Sequence, residues 1–251
     1  MLGKNKVKHI HSLEHRKHRK AEQAFVAEGH KLVGDLLGAF QPRTIIATAA
    51  WAHAHPGLPV EIVTDEELGR ASLLKHPQDV LAVFAMRPDH IDATAVASMV
   101  RKELCLAIDG VQDPGNVGTI LRIADWFGIH HIFCSESTAD VYGPKCVQAT
   151  MGALSRVHAH TVSLPALLSS LPASTPVYGT FLNGHNIYRE PLTPHGLIVM
   201  GNEGNGISPD VATHVTHRLF IPSHPVGAPT SESLNVAVAT AIVCAEFRRR
   251  S

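Results

Sequence analysis

Hydrophobic and polar positions change rhythm along the chain. Between residues 12 and 38 apolar positions recur at helical spacing. Glu28-Gly29-His30 breaks the stripe, and Lys31-Leu32-Val33 and Leu36-Leu37 resume it, so the pattern predicts two helices there. Short apolar runs then predict strands at Thr44-Ile45-Ile46, at Val60-Glu61-Ile62-Val63 and from Asp79 to Phe84. Asp65 stands where it can cap a short helix through Leu68. Met86-Arg87-Pro88-Asp89-His90 reads as a linker closing a first domain. Beyond it the rhythm alternates. Apolar runs at 104–108, 131–133, 176–178 and 197–200 predict strands, and 116–127 predicts a helix whose buried stripe is Val117, Ile120, Leu121, Ala124 and Phe127. Runs of four or five apolar residues between turn signals suit a parallel sheet covered on both faces, and the alternation predicts an α/β layered domain. The final helix, 233–250, is apolar almost all round, through Val236-Ala237-Val238-Ala239 and Ala241 to Ala245. Such a helix must be buried on every side, and a second subunit is the simplest cover. Arg248-Arg249-Arg250 end it with charge that suits the negative end of the helix dipole.

Composition narrows the classes. A chain of 251 residues allows one large domain or two small ones, and 45% hydrophobic with 18% charged residues supports a core and excludes disorder. Aromatics at 5% disfavour sandwiches and stacking platforms. Apolar runs fall short of the ~18 residues of a membrane span. The formal net charge of +0 conceals an asymmetry: residues 1–20 hold seven Lys/Arg against Glu14 alone. That basic opening lacks an apolar core segment, so it is no secretory signal. Cys105, Cys134, Cys146 and Cys244 have no C-x-x-C spacing and read as buried thiols of a reducing cytoplasm. The 18 histidines include the close pairs His11/His15, His53/His55, His130/His131 and His214/His217. None lies in an H-E-x-x-H frame or beside a carboxylate cluster, and no metal is expected.

Three loops carry candidate chemistry. In Asp109-Gly-Val-Gln-Asp-Pro-Gly-Asn116, a strand ends, a Pro-Gly turn follows, and Asn116 stands at an N-cap position. Arg122 lies about 100° from Leu121 on the helix wheel, beside the buried stripe, where an i,i+3 pair with Asp125 is an ordinary alternative to a functional role. Met200-Gly-Asn-Glu-Gly-Asn-Gly-Ile-Ser208 follows a buried strand, where ligands of open α/β sheets sit. Its spacing is neither the dinucleotide fingerprint nor a P-loop, and Glu203 would repel a pyrophosphate, so a cationic or phosphate-free ligand suits it, with a plain glycine-rich turn as the alternative. The third, from Phe220-Ile-Pro-Ser to Thr230-Ser-Glu-Ser-Leu-Asn235, opens the last helix. Ser231 or Ser233 can cap that helix, and Asn235 is an amide in need of a partner.

In order and spacing these loops resemble the SpoU (TrmH-type) family of the SPOUT RNA methyltransferases. The match is Asp113-Pro-Gly-Asn116-Val-Gly-x-x-x-Arg122, then Gly201-x-Glu203-Gly-x-Gly, then Ile221-Pro222 and Ser233-Leu-Asn235-Val-Ala-Val-Ala. Arg16-x-x-Arg19-Lys20 followed by Phe25-Val-Ala-Glu-Gly-His-Lys-Leu-Val33 is similar to the family's N-terminal substrate-binding domain. The resemblance implies an α/β protein in two parts. Residues 1–88 would be a small RNA substrate-binding domain, similar to ribosomal protein L30e. After a linker at 89–102, residues 103–251 would form a SPOUT-type domain with a mainly parallel sheet and a deep trefoil knot, a rarity among folds. It further implies a cytoplasmic homodimer that uses S-adenosylmethionine, with Thr180, Met200, Gly201, Ile221 and Leu234 lining the pocket, to methylate a ribose 2′-hydroxyl in tRNA or rRNA. Arg16, Lys17, Arg19 and Lys20 would contact RNA phosphates, giving salt-dependent affinity. The stretch between Pro222 and Ser233 is longer than the family usually has.

In the implied site, Asn116, Arg122, Glu203, Ser233 and Asn235 carry the chemistry. An alcohol is a poor nucleophile until its proton leaves. Arg122 either takes that proton or stays charged and stabilises the developing alkoxide. The high basicity of free arginine favours the second. Asn116, Asn235 and Ser233 would orient the hydroxyl or Arg122, and Glu203 would hold Arg122 or a neighbouring amide. The alternatives are an RNA-binding protein that keeps the fold without turnover, a nucleotide-dependent α/β enzyme of another kind, and a SPOUT enzyme acting on a base.

Overall fold

The computed structural model describes residues 1–88, 91–225, 231 and 233–250. In chain order its elements are α1 (Lys4–Ser12), α2 (Arg16–Glu22), β1 (Ala24–Glu28), α3 (His30–Leu37), β2 (Pro42–Ala47), α4 (Ala49–Ala54), β3 (Val60–Ile62), α5 (Asp65–Ala71), β4 (Val80–Ala85), α6 (Ala93–Lys102), β5 (Leu104–Ile108), α7 (Pro114–Trp126), β6 (His131–Ser135), α8 (Pro144–Thr150), β7 (His158–Val162), α9 (Leu164–Ser170), β8 (Val177–Asn186), β9 (Gly196–Met200), α10 (Pro209–Ala212), β10 (His217–Phe220) and α11 (Val236–Arg249). They form two compact units, Met1–Pro88 with Asp140–Arg156, and Asp89–Ala139 with Val157–Ser251. Among the described residues no helix is long and apolar enough to cross a membrane.

The first unit is a four-stranded sheet of order β1-β4-β2-β3, with β4 antiparallel to both neighbours and β2 parallel to β3. Both faces are covered. Ala24, Val26, Leu81 and Val83 meet Ile10, Leu13 and Leu68 on one side. On the other, Phe25 and Phe84 stack at 5.7 Å, and Tyr142 packs on Phe25 at 4.9 Å. Each fully buried Ile or Leu of this layer contributes roughly 1.5–3 kcal/mol to docking the helices on the sheet. Burial on both faces explains one correction. Residues 24–28 form a strand rather than the end of a helix, because all five are buried and show no alternation. In α5, Thr64 rather than Asp65 is the N-cap, forming a capping box with Glu67.

Arg19 is a second correction. Its side chain turns inward from α2. Nη1 donates to the carbonyls of Leu13 (2.8 Å) and Glu14 (2.6 Å), and Nη2 and Nε reach Asp140 Oδ2 at 2.7 and 3.1 Å. With its donors used inside the fold and the residue 3% exposed, Arg19 is not a surface phosphate contact. Arg16, Lys17 and Lys20 remain exposed. Arg87 holds the same segment, Asp140–Arg156, donating to the carbonyls of Leu154 and Ser155 at 3.1 and 2.8 Å while lying over the Phe40 ring.

The second unit is a six-stranded sheet of order β10-β8-β9-β5-β6-β7, parallel at every pairing. The expected α/β domain with a mainly parallel sheet is therefore present. Residues 93–102, read from sequence as linker, form α6 instead, whose Val96 and Val100 enter the core with Cys105, Leu197 and Val199. All four cysteines are buried, and none forms a disulfide among the described residues.

Candidate active site

The carboxyl ends of the second sheet are tied together by local polar chemistry. Asp113 caps α7 by accepting the Asn116 amide (3.0 Å), with Pro114 in the first turn. Asn116 is thus in the first turn rather than at the cap, and its side chain is released for other partners. Asp109, at the end of β5, accepts the Ser208 amide at 2.8 Å, and Asn202 donates to the Gly110 carbonyl at 2.8 Å. Asn202 Oδ1 also accepts the amides of Gly204 (2.9 Å) and Asn205 (3.0 Å), and its backbone pairs with Gly206. These bonds fold 202–206 into a tight turn with Glu203 held within it. Gly201 is required there, because a Cβ would lie 2.3 Å from backbone atoms of Gly206 and Ile207. Sequence reading passes over Asp109 and Asn202. The signal for Asn202 is an amide able to bond its own backbone two residues on.

Three candidate catalytic residues meet in one hydrogen-bonded line. Asn116 Nδ2 donates to Glu203 Oε1 at 2.7 Å, and Asn235 Nδ2 donates to Asn116 Oδ1 at 3.1 Å. The direction of the line follows from the last helix. Asn235, rather than Ser231 or Ser233, is the N-cap of α11, and its Oδ1 accepts the amides of Ala237 (3.0 Å) and Val238 (3.3 Å). Its Nδ2 must therefore donate, Asn116 Oδ1 must accept, and Asn116 Nδ2 is left to donate to the carboxylate. Asn235 caps the helix and finds its expected partner at once.

Two candidates stand outside the line. Arg122 is exposed and makes no hydrogen bond or ion pair among the described residues, so neither the i,i+3 pair with Asp125 nor a contact with Glu203 is formed. Ser233 is exposed, before the helix begins. The long stretch after Pro222 falls partly on residues 226–230 and 232, outside the described residues.

The positions assigned to a cofactor fall on three neighbouring strands. Thr180 lies within β8 just past the point where the pairing with β10 shifts register, from Arg218 opposite Gly179 to Leu219 opposite His185, so residues 180–184 have no partner in that ladder. Thr180 Oγ1 lies 3.9 Å from Met200 Sδ at the end of β9. Met200 and Gly201 are buried, Ile221 directly follows β10, and Leu234 is 46% exposed beside the cap of α11. Backbone from adjoining parallel strands, with Glu203 in the turn that directly follows Gly201 and no phosphate cradle, fits a nucleoside bearing a cationic sulfonium. Burial pushes the thiols of Cys105 and Cys244 up to about 12, which removes them as nucleophiles. Among the described residues no group of three His, Cys, Asp or Glu is arranged to hold a metal.

The sequence pattern of the SpoU rRNA methylase family matches residues 103–245, and that of the MRM3-like substrate binding domain matches residues 4–82. The chain belongs to the SpoU rRNA methylase family. It is an RNA ribose 2′-O-methyltransferase that uses S-adenosylmethionine. It is 30% identical to the 23S rRNA (guanosine(2553)-2′-O)-methyltransferase RlmP of Bacillus subtilis, over 97% of this chain and 96% of that one. A protein of Porphyromonas gingivalis assigned to the TrmH family superposes over 100% of both chains with TM-score 0.89 and 43% identity. An S-adenosylmethionine-bound rRNA methyltransferase of Sinorhizobium meliloti gives TM-score 0.84 at 30% identity, over 100% of this chain and 96% of that one. These comparisons lend no support to the alternative of an RNA binder without turnover.

Proposed function

We propose that the protein methylates a ribose 2′-hydroxyl of ribosomal RNA at the Glu203–Asn116–Asn235 line. The observation that carries this is the line itself, which joins residues 87 and 119 positions apart in sequence into one directed set of hydrogen bonds. Thr180, Met200-Gly201, Ile221 and Leu234 would hold S-adenosylmethionine, which when bound would supply a methyl group that needs little activation. The chain must orient and activate the alcohol. Asn116 and Asn235 are the orienting amides, and Glu203 fixes Asn116. Arg122, on the same helix as Asn116, presents a guanidinium without a protein partner among the described residues. It serves the developing alkoxide and the adjoining phosphate as an electrostatic stabiliser. Ser233 adds a hydroxyl just before the cap.

Ribosomal RNA is favoured over tRNA by the substrates named for the Bacillus and Sinorhizobium relatives. The first unit, an L30e-like substrate-binding domain in this reading, offers Arg16, Lys17 and Lys20 to RNA phosphates. The second unit carries the family's trefoil knot. A homodimer is supported by the face that α7 and α11 share. A cavity of about 320 Å³ there is lined by Asn116, Thr119, Ile123, Val238 and Ala241, among others. Trp126 on α7 is 85% exposed and Val238 on α11 is 50% exposed, large apolar surfaces that a second copy would cover. The expected location is the cytoplasm.

The test supplies labelled S-adenosylmethionine with rRNA and with tRNA, each from cells lacking the gene. Label entering rRNA alone is expected. Label entering tRNA alone would overturn the substrate assignment. An Arg122→Ala protein that binds cofactor and RNA yet turns over near the wild-type rate would overturn the role of Arg122.

A further inference from the structure

The arginines at the end of α11 form a polar construction in the second unit that the site described above does not use. They are not a plain charged tail. Arg248 donates to the carbonyls of Phe127 (2.7 Å) and Gly128 (3.0 Å), closing the end of α7. Arg250 reaches elsewhere. Its Nε donates to Glu246 Oε1 at 2.7 Å, Nη2 donates to the carbonyls of Tyr188 (2.6 Å) and Ile187 (3.3 Å), and Nη1 donates to that of Glu190. One rigid fork thus gathers three carbonyls of a single turn, a geometry that a lysine ammonium does not reproduce. Glu246 is 5% exposed at its side chain and is held from the other side by Arg249 at 2.8 Å.

The gripped turn stands between two stretches assigned to the cofactor. It directly follows the end of β8, the strand that carries Thr180 and whose pairing with β10 shifts register between Gly179 and His185. The Ile187 amide donates to the Phe220 carbonyl at 2.9 Å, one residue before Ile221. Ile187 itself is fully buried. Fixing the turn therefore fixes both edges.

We infer that Arg250, held by Glu246, is a positioning residue that latches the turn 187–190 and so keeps the cofactor pocket in its binding form. The inference rests on the reading that Thr180 and Ile221 line that pocket. Without the latch the turn samples other arrangements. Apparent cofactor affinity then falls in proportion to the competent fraction, so a competent population of about one tenth means about tenfold weaker binding. Catalysis at saturating cofactor is unaffected, because the latch touches neither Asn116 nor Glu203.

Arg249 supplies an internal control, since it shares the Glu246 carboxylate but has no hydrogen bond to the turn. The experiment measures S-adenosylmethionine affinity by calorimetry, and KM and kcat by methyl transfer, for the full-length wild type, Arg250→Ala, Arg250→Lys, Arg249→Ala and Thr180→Arg. The expected result is about tenfold weaker binding for Arg250→Ala with kcat preserved, a smaller loss for Arg250→Lys and none for Arg249→Ala. If Arg250→Ala fails to fold, Arg250→Lys carries the test. Unchanged affinity in the Arg250 variants while Thr180→Arg abolishes binding would overturn the latch and leave the pocket assignment standing. Unchanged affinity in Thr180→Arg as well would overturn both. Equal losses for Arg249→Ala and Arg250→Ala would overturn the latch by reducing the arrangement to general helix stability.

Discussion

Replacing Asn235 by Asp separates the two tasks that Asn235 performs. Asp keeps an oxygen to accept the amides of Ala237 and Val238, and it is as good an N-cap as Asn. Its charge also suits the positive end of α11. What it removes is the Nδ2 donor to Asn116. Two acceptors then face each other across 3.1 Å. If the Asn116 amide flips to serve the new carboxylate, its oxygen opposes Glu203 across 2.7 Å. Either way one carboxylate oxygen faces an acceptor across the line. A hydrogen bond to a charged group is worth about 1.5–3 kcal/mol. Asn116 and Glu203 are half-buried and Asn235 is exposed, so the lower end applies, about 1.5 kcal/mol or about tenfold in rate. Single-turnover methyl transfer should therefore slow by about tenfold, with the helix cap kept and cofactor affinity unchanged. Asn235→Ala, which loses the cap too, should lower the thermal midpoint as well. An Asn235→Asp protein transferring methyl groups within about twofold of the wild-type rate would refute the oriented line as an element of the site.

Other consequences are equally direct. Arg19→Ala leaves the half-buried Asp140 without its cation and the carbonyls of Leu13 and Glu14 without their donor, and should destabilise the protein by about 3 kcal/mol in denaturant unfolding; a loss below about 1 kcal/mol would contradict its structural role. Replacing Arg16, Lys17 and Lys20 together by Gln should leave stability intact but flatten the dependence of log affinity for single-stranded RNA on log salt, by about 0.7 per lost phosphate contact; an unchanged slope would remove them from the RNA surface. Gly201→Ala forces a methyl group against backbone and should open the turn that holds Glu203, weakening cofactor binding at least about tenfold; wild-type affinity would count against Gly201 as part of the pocket. Burial raises the Glu28 carboxyl above its ordinary range, against the opposing bonds from Ser72 and Leu73. A raised folded pKa means that its contribution is complete below the unfolded value of about 4.3 and is lost as pH rises through the folded value. Glu28→Gln should flatten that decline in unfolding midpoint with pH, and an unaltered slope would contradict the assignment.

What the sequence made legible follows from how local each feature is. The central strands β5 and β9 were visible as apolar runs because both faces are covered. The sheet's edge strands were not. In β10 only Leu219 is buried, and β7 carries His158, His160 and Thr161, so neither shows a run or a clean alternation. Strand β1 failed for the opposite reason, being buried throughout and unmarked by periodicity. The basic opening read as one surface, because a run of charges does not tell which side chain turns inward; Arg19 does. In the site, turn chemistry exposed the two loops, and an apolar helix entered by an amide required a partner for Asn235. That the partner is Asn116, 119 residues away, is a property of the tertiary arrangement; the family resemblance put both amides in the site without pairing them.

The most direct test of ribose methylation at this site is the chemical position of the transferred methyl group. Ribosomal RNA labelled by the purified protein is hydrolysed with alkali, which cleaves next to every free 2′-hydroxyl and spares a linkage whose 2′-oxygen is methylated. Ribose methylation predicts that the label survives in an alkali-resistant dinucleotide, and that the yield falls with Asn235→Asp. Label recovered instead on a base of alkali-released mononucleotides would contradict it.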